Sequence, residues 1–343
     1  METNHITLSE DEKASLYLLD QAMGFTVQAA LRVATELNVA DALIDTPKTS
    51  RELASQLAVD QDLLHRVMRT LVSRNIFTVS NDGHFALNSV AQCLRSDARD
   101  SLRAAVIMLT DDTFWLPLGK LTGTVRGDPV FKQLFGMSFY EYWSRENIPA
   151  SENDFHAGMS SMSSVENKFL VRNYHFPENA TVVDIAGGLG GLLLSVLRAN
   201  PTLKGILFDQ PQILPRNRLG ELGDDSRWET CAGSFFESCP TADFYLLKYI
   251  TMDWPDELAS RILRSCRNAM HPDSTLLIME PVIPEGHDWD SAREIDLLLM
   301  GSFDGGKART EEELRALLAT ADLKLNRIIN TGCYVSIVEA VPS

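Results

Sequence analysis

The sequence predicts an α/β protein. A mostly parallel, Rossmann-like sheet carries an antiparallel C-terminal hairpin, and a smaller, mainly α winged-helix domain precedes it. Three observations predict this. From residue 176, short β-rich runs alternate with helical stretches, the texture of a parallel sheet covered on both faces. The first run, 181–186, ends in an acid and a glycine turn that opens directly into a helix. Ahead of it, residues 22–86 read helix, helix, helix, hairpin.

Each element has its own reason. Residues 22–43 (AMGFTVQAALRVATELNVADAL) carry apolar side chains at helical spacing and predict one buried helix. Thr49 or Ser50 caps a second helix, with Glu52 in its first turn. Residues 60–74 make a third, apolar at Leu63, Leu64, Val67, Leu71 and Val72. Two β-rich runs then flank Asn81-Asp82-Gly83, a strong hairpin signal. Residues 100–175 read as helical and rich in Phe114, Trp115, Phe135, Phe139, Tyr140, Tyr142, Trp143, Phe155, Met159 and Met162, with a turn at Gly123, Gly127, Asp128 and Pro129. Such a stretch forms core or walls an apolar ligand pocket. Strands follow at 181–186, 203–208, 228–232, 243–248 and 274–281. Runs at 324–330 and 333–341, joined by Thr331-Gly332, predict the closing hairpin. The expected organisation is a winged-helix domain over 1–105, a helical linker lining the substrate pocket over 106–175, and the sheet domain over 176–343.

Composition sets limits. At 343 residues the chain holds two or three domains, and 45% hydrophobic residues exclude disorder as its dominant state. No apolar run reaches the roughly 18–20 residues of a membrane span. The acidic N-terminal stretch lacks the basic start of a signal peptide. Net charge is 31 − 47 = −16, which argues against a nucleic-acid backbone as partner. Arg66, Arg69 and Arg74 on the third helix therefore read as a solvated face of a packing module, not as a DNA contact. Cysteines 93, 231, 239, 266 and 333 show no paired spacing, so reduced thiols, a cytoplasmic location and no metal site are expected.

Four stretches fall at the carboxyl ends of predicted parallel strands, where open α/β sheets bind ligands. The first is Asp184-Ile185-Ala186-Gly187-Gly188-Leu189-Gly190. Its glycines allow close backbone approach, and the acid disfavours a pyrophosphate and suits an amine-bearing ligand. The second is Phe208-Asp209-Gln210-Pro211, with an acid about 20 residues past the turn, the spacing that serves a ribose diol. The third is Gly233-Ser234-Phe235-Phe236, whose aromatics suit an adenine. The fourth runs from Lys248 to Glu257 and includes Met252-Asp253-Trp254.

In this order, together with Glu280 and Gly305-Gly306-Lys307-Ala308-Arg309-Thr310, these stretches resemble the S-adenosylmethionine-dependent small-molecule O-methyltransferases of plant caffeate and bacterial antibiotic and phenazine type. The resemblance covers nearly the whole chain. It implies S-adenosyl-L-methionine as cofactor, a homodimer formed through the N-terminal domain, and a small aromatic or polyketide-like acceptor; neither nucleic acid nor membrane is an expected partner. It further implies that Asp184, Gly187, Gly188, Gly190, Asp209, Gln210, Ser234, Phe235 and Lys248 hold the cofactor. Trp115, Phe155, Met159, Met252 and Asp253 would line the acceptor site.

The sequence departs from the pattern at four positions. Ala186 stands for the first glycine of the turn, and Ser234 for an acid. The general-base histidine is Met252, and of its two orienting acids Glu280 remains while Ala308 replaces the other. A phenol with a pKa of about 10 is ionised to roughly one part in a thousand at neutral pH, so lacking a base costs about 4 kcal/mol. Met252, Asp253, Glu280 and His156 are the candidate catalytic residues, with His156 or Asp253 as substitute bases. The expected activity is methyl transfer driven by proximity. The alternatives are a non-methylating reaction in which the sulfonium acts electrostatically, and a ligand-sensing DNA-binding regulator.

Overall fold

The computed structural model describes residues 8–143 and 151–343. The chain forms two compact units, Met1–Thr110 and Asp111–Ser343.

The first unit is helical with a small sheet. It contains α1 (Glu10–Ala22), α2 (Phe25–Glu36), α3 (Val39–Ala42), β1 (Lys48–Thr49), α4 (Ser50–Leu57), α5 (Gln61–Ser73), β2 (Thr78–Val79), β3 (His84–Ala86), α6 (Ser89–Gln92) and α7 (Arg103–Leu109). The single helix expected over 22–43 is broken twice. Ala22 ends α1, and Asn38, left-handed at φ 54°, separates α2 from α3. Apolar periodicity runs straight through the break at Asn38, because α2 and α3 face the same core. Thr49 caps α4 through a reciprocal capping box with Glu52, as expected. In α5, Leu64 and Leu71 are buried together with Met68, but Leu63 is 59% exposed. The hairpin forms with Thr78 opposite Ala86, and β1 adds to its far side. Arg66, Arg69 and Arg74 are exposed. Helix α1 buries none of its residues: Tyr17 and Leu18 stay exposed, as do Met23 and Phe25 just beyond it. An open groove of ≈470 Å³ runs between α2 and α5, lined by Val33, Leu63, Val67 and Arg69 among others.

The second unit begins with α8 (Asp112–Gly119), α9 (Leu121–Val125), α10 (Val130–Phe135), α11 (Phe139–Trp143) and α12 (Ser151–Asn173). The α/β part follows: β4 (Thr181–Ile185), α13 (Gly191–Ala199), β5 (Lys204–Asp209), β6 (Trp228–Ala232), β7 (Phe244–Lys248), α14 (Asp256–Ala269), β8 (Thr275–Glu280), β9 (Val282–Ile283), α15 (Ser291–Ser302), β10 (Arg309–Thr310), α16 (Glu311–Ala319), β11 (Leu323–Asn330) and β12 (Ser336–Pro342). Seven strands make one sheet in the order β11-β12-β8-β7-β4-β5-β6. Its last five strands are parallel, and β12 is antiparallel to both β8 and β11. This is the predicted fold class.

Both sheet faces are buried, so strand residues alternate between two cores. Val183, Ile185, Tyr245, Leu247 and Ile278 pack on one face with Ile262, Leu263 and Leu317 of α14 and α16. Val182, Leu246, Leu277 and Met279 pack on the other with Leu170, Leu193 and Leu197 of α12 and α13. The strands β4, β5, β7 and β8 are therefore held on two sides, whereas the edge strand β6 is partly exposed. The cysteines scattered in sequence are all free, but the fold brings the Sγ atoms of Cys239 and Cys266 to 3.8 Å.

Candidate functional site

The turn after β4 is built around a buried acid. Asp184 is 2% exposed, and its Oδ2 has no hydrogen-bond partner among the described residues. Burial, reinforced by the charge of Asp209, pushes its pKa up to about 7, against the pull of the Leu193 amide and of Lys248. A Cβ on Gly187 would lie 2.6 Å from that carboxylate and from Leu207, so only glycine fits. Gly188 and Gly190 have φ of +57° and +77° and turn the chain into α13. Ala186 is also left-handed, at φ 54°, where a Cβ is strained.

Asp209 closes the next strand end. Its Oδ2 accepts from the Gly188 amide at 2.8 Å and its Oδ1 from the Gln210 amide at 2.7 Å. Burial raises its pKa. Gln210 itself is exposed. After β6, a Cβ on Gly233 would meet the Phe208 ring at 2.6 Å. Ser234 Oγ accepts weakly from the Phe236 amide, and Phe235 lies edge-on to Phe236 and Trp254. After β7, Lys248 is drawn to α12. Its Nζ lies 2.7 Å from Glu166, donates to Ser163 at 2.8 Å and to Asn167 at 3.3 Å. Tyr249, at φ 57°, donates to Glu166 as well. Sequence reasoning missed Glu166, because nothing in a helical stretch marks one acid as a partner for a lysine 82 positions on.

The segment Thr251–Trp254 is held from two sides. Glu280, fully buried, accepts from the Thr251 hydroxyl with both oxygens at 2.8 Å and from the Met252 amide at 3.1 Å. It therefore orients backbone here, and burial raises its pKa. From the other side the Lys307 amide donates to the Met252 carbonyl at 2.8 Å, and Gly306 packs so closely on that carbonyl that a Cβ would sit at 2.9 Å. The Met252 side chain is 4% exposed and clusters with Leu299 and Ala308. Beside it, Asp253 Oδ2 accepts from the Tyr140 hydroxyl. Burial, aided by the charge of Glu280 and opposed by the Tyr140 hydrogen bond, lifts the Asp253 pKa to about 8.

Aromatic side chains adjoin this segment. Tyr140 stacks on Trp254 with centroids 5.9 Å apart, and Phe139 lies 4.4 Å from Phe303. Phe155 touches both Phe139 and Trp143. Phe155 thus belongs to the aromatic cluster, while Trp115 and Met159 are half-buried on α8 and α12. Phe303 carried no sequence signal. His156 is edge-on to Phe155, and its charge acts on the carboxylate of Asp209. His156 thus acts electrostatically on the β5 strand end. Among the described residues no three His, Cys, Asp or Glu side chains gather as a metal site.

Comparison with known proteins agrees with this geometry. Residues 115–324 match the O-methyltransferase domain, and residues 19–97 match the O-methyltransferase dimerisation domain. The chain is 35% identical over 331 residues to the phenazine O-methyltransferase of Lysobacter antibioticus, covering 96% of each. It is 34% identical to the mitomycin biosynthesis 6-O-methyltransferase of Streptomyces lavendulae, over 90% of this chain and 89% of that one. Among solved structures, the calicheamicin-biosynthesis methyltransferase CalO1 in its SAH-bound form superposes with a TM-score of 0.90 at 36% identity, covering 98% of this chain and 100% of that one. The chain belongs to the S-adenosylmethionine-dependent O-methyltransferase family. Its own residues fit the cofactor: an unpartnered buried carboxylate suits an amine cation, and the Gly187 turn leaves backbone open to a ligand.

The left-handed alanine makes a stability prediction. Ala186→Gly removes the Cβ strain, partly offset by the greater freedom of glycine in the unfolded chain. The variant is expected to be about 0.5–1 kcal/mol more stable, with Tm raised by roughly 1–3 °C in calorimetry. An unchanged or lower Tm would refute the strain.

Proposed function

We propose that this protein transfers a methyl group from S-adenosylmethionine to a hydroxyl of a small aromatic or polyketide-like secondary metabolite, without an imidazole base. The observation that carries this reading is the apolar contact of Met252 with Ala308 and Leu299. Where the family pattern has a histidine and its orienting acid, two apolar side chains pack together, and a thioether accepts no proton at neutral pH.

The cofactor supplies an electrophilic methyl on a sulfonium. Asp184, under the glycine turn, answers the ligand's amine. Asp209 offers its remaining lone pairs to the ribose diol while anchoring the Gly188 amide. Phe235 packs on the adenine, with Ser234 turning the chain beneath it. Lys248, tied to Glu166, sets the end of β7 at the methionine tail. The aromatic cluster of Phe139, Phe155, Trp254 and Phe303 holds a flat acceptor against the methyl. Orientation in a dry site offsets much of the penalty for the absent base, since effective molarity alone is worth up to ~7–11 kcal/mol. The exposed apolar residues of α1 and the groove between α2 and α5 suit a second copy of the chain, forming a homodimer through the N-terminal unit.

Asp209→Ala should weaken S-adenosylmethionine binding at least roughly tenfold in calorimetry. The Gly188 and Gln210 amides and the ribose hydroxyls all lose a partner, at ~1–3 kcal/mol each. An unchanged Kd would remove Asp209 from the site.

Binding should also depend on pH. The Asp184 pKa is raised to about 7 from 3.8, so the free protein loses stability as pH climbs through that window. A bound cation favours the ionised carboxylate. Affinity should rise as pH goes from about 6 to 7, with proton uptake by the buffer, read by calorimetry in buffers of different ionisation enthalpy. A flat profile with no proton release would contradict the role of Asp184.

The reading as a whole is tested by incubating the protein with methyl-labelled donor and a panel of phenols, with products analysed by mass spectrometry. Label should pass to oxygen. Met252→His combined with Ala308→Glu restores a base and its orienting acid. It should raise transfer to a simple phenol at least roughly tenfold, toward the 10²–10⁴ range of general-base catalysis. If the natural protein spends no donor on any acceptor and the double variant gains nothing, the methyltransferase reading fails.

A further inference from the structure

The segment that carries Met252 still meets one polar pair with an open side. Tyr140 of α11 donates its hydroxyl to Asp253 Oδ2. Its ring is fixed by stacking on Trp254 at 5.9 Å and 16°, and by edge contacts with Phe139 and Phe303 at 5.7 and 5.8 Å. Despite this crowding Tyr140 is 41% exposed, so it presents part of its surface to solvent among the aromatic residues.

The other ionisable groups around the segment are committed. Glu280 is fully buried and accepts from Thr251 and Met252. Asp256 of α14 pairs with Arg309 at 2.8 Å and with Lys307 at 3.0 Å. Arg309 donates to the carbonyls of Thr251 and Trp254. Among the described residues, the ionisable groups that act on Asp253 itself are Tyr140 of α11 and Glu280 of β8, while Asp256, Lys307 and Arg309 are paired with one another around the segment. Met252 offers no proton acceptor.

We propose that Tyr140 and Asp253 form a two-residue proton acceptor for the hydroxyl being methylated, Tyr140 making the contact and Asp253 taking the proton. This rests on the methyl-transfer reading above. The acceptor's O–H bond breaks as its oxygen bonds to the methyl carbon, and the sulfur keeps the electron pair of the broken S–C bond. The released proton moves onto the Tyr140 oxygen while Tyr140's own proton passes to Asp253 Oδ2. A neutral hydroxyl, a sulfonium and a carboxylate become an ether, a thioether and a carboxylic acid, so charge balances. Asp253 then returns its proton to solvent. With its pKa lifted from 3.8 to about 8, Asp253 is roughly 10⁴-fold more basic than an ordinary carboxylate. The Tyr140 hydrogen bond favours the ionised form, so losing it drives that pKa higher still.

The test compares the natural protein with Tyr140→Phe and Asp253→Asn. Infrared spectroscopy of the donor-free protein should show a carboxylic-acid band titrating near pH 8. The band should vanish in Asp253→Asn and titrate at higher pH in Tyr140→Phe. With a phenol that the natural protein methylates, kcat should rise with pH to a plateau with the same midpoint. Asp253→Asn should lose roughly 100-fold or more in kcat and the pH limb with it. Tyr140→Phe should shift the limb to higher pH while the Kd for S-adenosylmethionine holds. If the variants keep the natural pH profile and rate, or if no such band titrates, the pair is not the acceptor and the methyltransferase reading stands. If the natural protein methylates no phenol, that reading falls and takes this proposal with it.

Discussion

A buried guanidinium fixes the geometry of the chemistry. Arg309 is fully buried, and a charge in that position is tolerated only when every donor is answered. Its partners are the carbonyls of Thr251 and Trp254, at 2.9 and 3.0 Å, and the carboxylate of Asp256. Those carbonyls bracket Met252 and Asp253. Arg309 is itself placed by the short parallel pairing of β10 with β9, directly after Glu280. Glu280 holds the same segment from the opposite side through Thr251 and the Met252 amide. One acid and one base, neither in contact with the other's carbonyls or hydroxyls, thus clamp four residues of irregular backbone. Irregular backbone needs such help, because it has no ladder of its own to satisfy its polar groups.

The parts of the molecule legible in the sequence are those that repeat. Strand alternation and the glycine turn announced β4 to β8, since buried parallel strands need continuous apolar runs and a ligand-facing turn needs glycine. The Thr49–Glu52 box announced α4 because both residues are local. The breaks at Ala22 and Asn38 stayed hidden, because apolar spacing reports which face is buried and not whether the backbone is continuous. Leu63 misled for a related reason: it lies next to the buried stripe of Leu64, Met68 and Leu71, on the exposed side.

The site divides along the same line. Asp184, Gly187 and Asp209 are recognisable because the strand end dictates both their spacing and their type. Glu166 and Phe303 are reached only through tertiary contacts, Glu166 with Lys248 and Phe303 with Phe139. His156 stands out in the sequence through its helix segment, Phe155 to Met159, and its neighbours too are set by tertiary contacts. The fold sets it against Phe155 with its charge acting on Asp209.

The side chains at 252 and 308 form one packed unit with Leu299, so their chemistry is coupled. A lone histidine facing alanine would bury an imidazole with one orienting partner, and a lone acid facing methionine would bury a carboxylate with none, which costs several kcal/mol. Exchanging both yields a packed apolar contact with Leu299 and leaves no charge stranded. Glu280 needs no imidazole, because its oxygens serve Thr251 and the Met252 amide. Asp253 lies beside them, buried enough to become basic and bonded to a tyrosine that is still exposed. In the reading proposed above, the proton-handling chemistry of the segment falls to the residue next to Met252.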